Sequence, residues 1–138
     1  MVPMMNNECI KLSFPVNAAY VSSARLTASS IANRIQFDID ETEDIKTAVS
    51  EACIYIIKRL APKVESHFEI CFLPGAGKLT VEIVANCGGK GEWQEPVKDD
   101  MSLMMMEALV DEFAVSQPQK GQIIINMAKK HNSSNFLE

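Results

Sequence analysis

Glu51, Tyr55 and Arg59 stand at four-residue steps within Asp44 to Leu60, DIKTAVSEACIYIIKRL, and carry the stretch's most usable chemistry. A glutamate can take a proton from a hydroxyl, provided that something holds the hydroxyl's target nearby. Around these residues Ile45, Ala48, Val49, Ala52, Cys53, Ile56, Ile57 and Leu60 repeat at three- and four-residue steps, the mark of a helix with one buried stripe. Glu51 and Tyr55 fall one turn apart on the polar border of that stripe, with Arg59 a turn further on near its edge. Border residues touch both the core and whatever cleft the helix lines. A carboxylate there is either a solvated surface group, bonded to neighbouring backbone or to Arg59, or part of a site.

The rest of the chain must position that helix. Residues 9–14 (CIKLSF) alternate apolar and polar and read as a strand ended by Pro15. Asn17 caps a first helix running to about Arg34, with Ala19, Tyr20, Ala24, Leu26, Ile31 and Ala32 expected to face inward. Phe37–Asp44 (FDIDETED) reads as an acidic loop plus helix N-terminus, where carboxylates suit the positive end of the dipole. The central helix stops before Pro62. His67–Leu73 and Lys78–Ala85 alternate and are joined by PGAG as a hairpin, so GAGK is a turn rather than a phosphate loop, whose spacing it lacks. Asn86–Asp100 has no periodicity and reads as a functional or mobile loop. From Met101 to about Phe113 a helix is expected, capped by Asp99 or Asp100, with Leu103, Met106, Leu109, Val110 and Phe113 in its pattern. Ala114–Ser116 and Gln122–Ala128 form a second hairpin, and the polar tail 129–138 is expected to fray. Hairpin-joined strands with helices between them imply one domain: an α+β two-layer sandwich of a mostly antiparallel sheet with three helices on one face.

Composition narrows the function classes. The 138 residues suffice for one core, and the formal net charge of −5 argues against a binder of nucleic-acid backbones. No apolar run reaches membrane-spanning length, and the N-terminal stretch lacks the basic start and apolar centre of a signal peptide. Cys9, Cys53, Cys71 and Cys87 show no CxxC pairing, and His67 and His131 are the only histidines. No zinc site is expected, and the four read as reduced cysteines of a cytoplasmic protein.

The segments YVSSARLTASSIANRIQF, EDIKTAVSEAC and MEALVDEFAV, in that order and spacing, resemble the RsbW-type anti-sigma factors. These are small serine protein kinases on the histidine-kinase-like (GHKL, or Bergerat) ATPase fold, and the resemblance spans about residues 10–128. It implies the same sandwich as the periodicity, with a core over about 9–128. In that family a Glu-Ala-x-x-Asn motif on the central helix supplies a general base and a magnesium ligand. Here Glu51 and Ala52 match, Tyr55 replaces the Asn, and Arg59 stands where a histidine is common. The family's Asp-x-Gly, whose Asp accepts a hydrogen bond from adenine, reads Asn86-Cys87-Gly88. Its Gly-x-Gly, whose bare amides cradle phosphate at a helix start, aligns with Asp100 and Ser102. An acidic Asp100 there repels phosphate, and the lid Gly89–Asp99 is shorter than usual.

The resemblance thus implies an anti-sigma-like regulator that acts by protein–protein contact, a pseudo-kinase with weak or no ATP binding and no expected cofactor. The alternative is an active kinase of an anti-anti-sigma protein that uses ATP and Mg, with Glu51 as base. Family partners are a sigma factor and an anti-anti-sigma protein, and homodimers are common. Ala24-Arg25-Leu26-Thr27 matches the family's sigma-contacting motif, which carries Arg25 over as a partner-binding residue.

Overall fold

A computed structural model describes residues 8–59, 66–86, 101–119 and 121–132. The lid segment, with Cys87, Gly88 and Asp100, lies outside the described residues, as do Leu60 and the expected caps Asp99 and Asp100. Among the described residues five strands form one sheet: β1 (Ile10–Pro15), β2 (His67–Gly75), β3 (Lys78–Asn86), β4 (Glu112–Ser116) and β5 (Gln122–Lys130). Their spatial order is β1-β2-β3-β5-β4, and all four pairings are antiparallel. Helices α1 (Val21–Arg34), α2 (Ile39–Arg59) and α3 (Met101–Leu109) cover one face. The expected sandwich with three helices on one face is the observed one.

The sheet reads as its alternation predicts. Phe68, Ile70 and Phe72 of β2, Leu79, Val81, Ile83 and Ala85 of β3, and Ile123, Ile125 and Met127 of β5 point to the helices and are buried. The residues between them face away. The first hairpin is longer than PGAG suggested: Pro74 and Gly75 continue the ladder, Gly75 opposite Lys78, and only Ala76 and Gly77 turn. Gly77 has φ +70°, which the tight turn demands and glycine adopts without strain.

Three helical expectations need correction. Asn17 does cap, its Oδ1 accepting from Ala19 N at 2.8 Å, but it opens a 3-10 turn (Ala18–Tyr20) before α1 begins. The buried face of α1 is Val21, Ala24, Ala28, Ile31 and Ala32, while Ala19, Tyr20 and Leu26 point outward. Ala24, Ile31 and Ala32 are inward as expected, whereas the extra turn places Ala19 and Tyr20 ahead of the helix and off its stripe. Helix α2 starts at Ile39 rather than near Asp44, so of the acidic segment only Phe37 and Asp38 are loop and the rest is the helix N-terminus. The helix expected to reach Phe113 ends at Leu109, and Phe113 belongs to β4. Lys129 Nζ donates to the Leu109 carbonyl at 3.0 Å, and Asp111 N donates to Ala128 O, so the chain turns from helix cap straight into ladder.

The expected fraying of residues 129–138 fails over its first part. Lys129 and Lys130 pair with Leu79 and Lys78 in β5, His131 N donates to Gly77 O at 2.8 Å, and Asn132 is anchored on α2. The cysteine expectation is also overturned for one pair: Cys9 and Cys71 form a disulfide. Cys71 sits in β2 and Cys9 immediately precedes β1, so the antiparallel ladder brings two sequence-distant thiols side by side. Cys53 is free and buried.

Candidate functional site

Helix α2 sets the site because it packs between α1 and α3 and runs over the sheet. Its start is fixed by a reciprocal cap. Asp38 Oδ1 accepts from Glu41 N at 2.7 Å, and Glu41 Oε1 accepts from Asp38 N at 2.8 Å. The preceding turn brings Phe37 inward: Gln36 N donates to Asn33 O and Phe37 N to Ala32 O, a Schellman closure of α1 with Gln36 at φ 67°. The Phe37 ring stacks on His131, centroids 6.0 Å apart.

Glu41 does more than cap. Its buried carboxylate also takes His131 Nδ1 at 2.7 Å and Asn132 N at 2.6 Å, joining the start of α2 to the end of β5. Burial alone pushes its pKa up, but the backbone donors of Asp38 and Asn132, with His131, outweigh that and hold it below the usual glutamate value. This cluster was missed in the sequence, although Asp38-x-x-Glu41 has capping-box spacing. No local signal ties Glu41 to His131.

The family-type residues lie further along α2. Glu51 accepts from Ser102 Oγ at 3.0 Å, so α3 supplies the partner that neighbouring backbone or Arg59 was expected to supply. Ser102 is buried at the second position of α3. The structure therefore brings together two residues that sequence alignment alone placed in one pocket. Tyr55 is not a border residue: it has 0 % exposure and is among the largest fully buried side chains. The Arg59 guanidinium lies over its ring, 4.0 Å from the centroid, and is buried with it. Residues one turn apart on a helix share a face, and α3 closes over this part of α2, so the polar border becomes interior.

Asn86 stands apart from that pair. It ends β3, exposed, and its Oδ1 accepts from Gln122 Nε2 at 3.0 Å. Arg25 is exposed on α1, next to Leu26, whose side chain is 66 % exposed. A cavity of about 380 Å³ opens between α3 and β4, with Leu103, Met104, Phe113 and Val115 on its walls and Tyr55 at its base. Glu107 is its one charged lining residue among those described.

The comparisons with known proteins agree with this architecture. Residues 14–129 match the model of the histidine kinase-like ATPase domain family. The serine-protein kinase RsbW of Oceanobacillus iheyensis is 30 % identical over 142 aligned positions, covering 91 % of this chain and 89 % of that protein. The chain is an RsbW-type histidine kinase-like ATPase domain. The serine-protein kinase RsbW of Bacillus subtilis strain 168 is 32 % identical over 130 positions, 81 % of each chain. The solved structure of the RsbU and RsbW domains of Rv1364c from Mycobacterium tuberculosis superposes with a TM-score of 0.68 at 16 % identity. It covers 90 % of this chain, which spans about a third (32 %) of that longer one. That likeness establishes the RsbW-type fold. Among the described residues no helix is long and apolar enough to cross a membrane.

Proposed function

We propose that this RsbW-type domain is an anti-sigma-like regulator that works by gripping proteins, with weak or absent nucleotide binding. The observation that carries the reading is the state of Tyr55. At the position where the family places a magnesium-binding amide, this chain has a phenol packed wholly into the core beneath Arg59. Magnesium takes carboxylate, amide and water oxygens in a tight octahedron, and a neutral phenol is a poor member of that set. The donor set does not suit the ion, so no phosphoryl-transfer step is assigned.

Three further features support the reading. Glu51, the family's general base, already spends a carboxylate oxygen on Ser102, and a base with no held phosphate has nothing to activate. The cavity beside Tyr55 is mostly apolar and presents Glu107, whose charge repels phosphate. Asn86 is an acceptor without the charge that would strengthen an adenine contact, and its oxygen is engaged by Gln122.

The partners proposed are a sigma factor, an anti-anti-sigma protein or both, with Arg25 making charge-assisted contacts to a carboxylate from exposed α1. A homodimer is compatible with this role. The cell compartment expected for it is the cytoplasm. Isothermal titration with Mg-ATP is the direct test. No saturable binding at micromolar nucleotide is expected, whereas micromolar affinity would defeat the reading in favour of an active kinase. The variant carrying Tyr55→Asn, Asn86→Asp, Asp100→Gly and Ser102→Gly should gain measurable affinity. A folded quadruple variant that ignores ATP would show that these positions are not what blocks the pocket.

A further inference from the structure

We propose that Cys9 and Cys71 form a reversible thiol–disulfide exchange site on the helix-free face of the sheet, fastening the edge strand β1 and opened by a dithiol reductant. The two Cα atoms are 6.1 Å apart and the sulfurs are bonded across neighbouring antiparallel strands. Cys71 lies between core residues Ile70 and Phe72, so its side chain points to the face that no helix covers. Cys9 is exposed and Cys71 half-buried, so a reagent can reach the bridge from solvent. Across the ladder Cys71 is flanked by Lys11 on β1 and Glu82 on β3, one charge of each sign.

Opening the bridge leaves the core intact. β1 keeps its ladder to β2 from Ile10 to Pro15, and Ile10, Leu12 and Phe14 still pack toward the helices. The bridge thus fastens the outer end of an edge strand rather than closing the core. Reactivity is selective as well. Cys53 is fully buried in α2 and its thiol is pushed up to about 12, which leaves almost no thiolate at neutral pH. Disulfides that occur in reducing surroundings are usually transient or sensing ones, and an exposed pair on an edge strand suits that use.

The chemistry balances as ordinary exchange. A thiolate of the dithiol attacks Cys9 Sγ, the more exposed sulfur, forming a mixed disulfide while the Cys9–Cys71 bond breaks and Cys71 leaves as thiolate and takes a proton. The reagent's second thiolate attacks the mixed disulfide, releasing Cys9, which is likewise protonated, and the reagent departs as a cyclic disulfide. Two electrons pass from reagent to protein, and a disulfide such as oxidised glutathione reverses the sequence.

The full chain, equilibrated in oxidised glutathione or in dithiothreitol, would be digested without reduction and analysed by mass spectrometry and hydrogen exchange. The expected result is a Cys9–Cys71 linked peptide only in the oxidised sample and an unchanged far-UV spectrum in both. Exchange over residues 10–15 should be about tenfold faster after reduction, with β3 and β5 unaffected. The Cys9→Ser/Cys71→Ser double variant should behave as the reduced protein in both buffers. Linkage to Cys87, no linkage at all, equal β1 exchange in both states, or loss of the folded spectrum on reduction would each overturn the proposal.

Discussion

At the first turn of α2, Glu41 is buried and accepts from Asp38 N, His131 Nδ1 and Asn132 N. Farther along the same helix Glu51 is half-buried and, among the described residues, accepts from Ser102 alone. The first carboxylate sits where three segments converge and accepts from each of them, so it is a joint of the fold. The second is held by one contact across to α3, so its loss should cost the fold less. Position on a helix therefore says less about a glutamate's role than the number of donors it satisfies.

The strongest way to break this contrast is to attack the core beside Glu51. Tyr55→Ala removes a fully buried aromatic ring and the platform for Arg59, and is expected to cost about 4 kcal/mol in urea unfolding. A loss below about 1 kcal/mol would mean that the ring is not buried. Glu41→Ala comes next, at about 3 kcal/mol, because it removes a buried carboxylate that accepts from Asp38 N, His131 Nδ1 and Asn132 N together.

The sign of the pH effect sharpens the point. Glu41 has a folded-state pKa below its unfolded one, so the unfolded chain binds more protons between the two values. Its stabilisation is full above the unfolded value and is lost as pH falls through the folded one. Acid titration of the unfolding free energy should therefore steepen below the ordinary glutamate pKa and flatten in Glu41→Gln. Parallel slopes in the two proteins would remove Glu41 from the account.

Ser102→Ala tests the lighter contact. It should cost about 1 kcal/mol and leave partner binding unchanged, measured by thermal unfolding and pull-down. The smallest effect has the opposite sign. Gln36 holds a left-handed backbone at the Schellman closure of α1, so Gln36→Gly should stabilise by up to about 1 kcal/mol, read as a rise in the denaturation midpoint.

Much of the fold was legible because it rests on local periodicity. The alternation of HFEICFL and KLTVEIVA gave β2 and β3 directly, and the Ile45–Ile56 stripe gave the buried face of α2. Errors arose where a long-range contact decided a local matter. Phe113 fits a helical stripe as well as a strand, and only the β5 ladder chooses. Tyr55 sits at a border by angle alone, and only the approach of α3 buries it. The bridge between Cys9 and Cys71 and the grip of His131 on Glu41 join residues far apart in the chain, which no spacing rule reveals. For the site, family motifs placed Glu51 and Ser102 in one pocket, and the fold brings them into contact. Nothing in the motifs indicated that they would bond each other.

The strand order carries a consequence for synthesis. β5, made after every other strand, lies between β3 and β4 rather than at a margin. A nascent chain that has emerged only as far as Ser116 exposes one bare flank of β3, and β4 has nowhere to dock. Productive assembly on the ribosome must wait until about Lys130 clears the exit tunnel, and until then that bare flank is the natural place for a chaperone to hold the growing polypeptide.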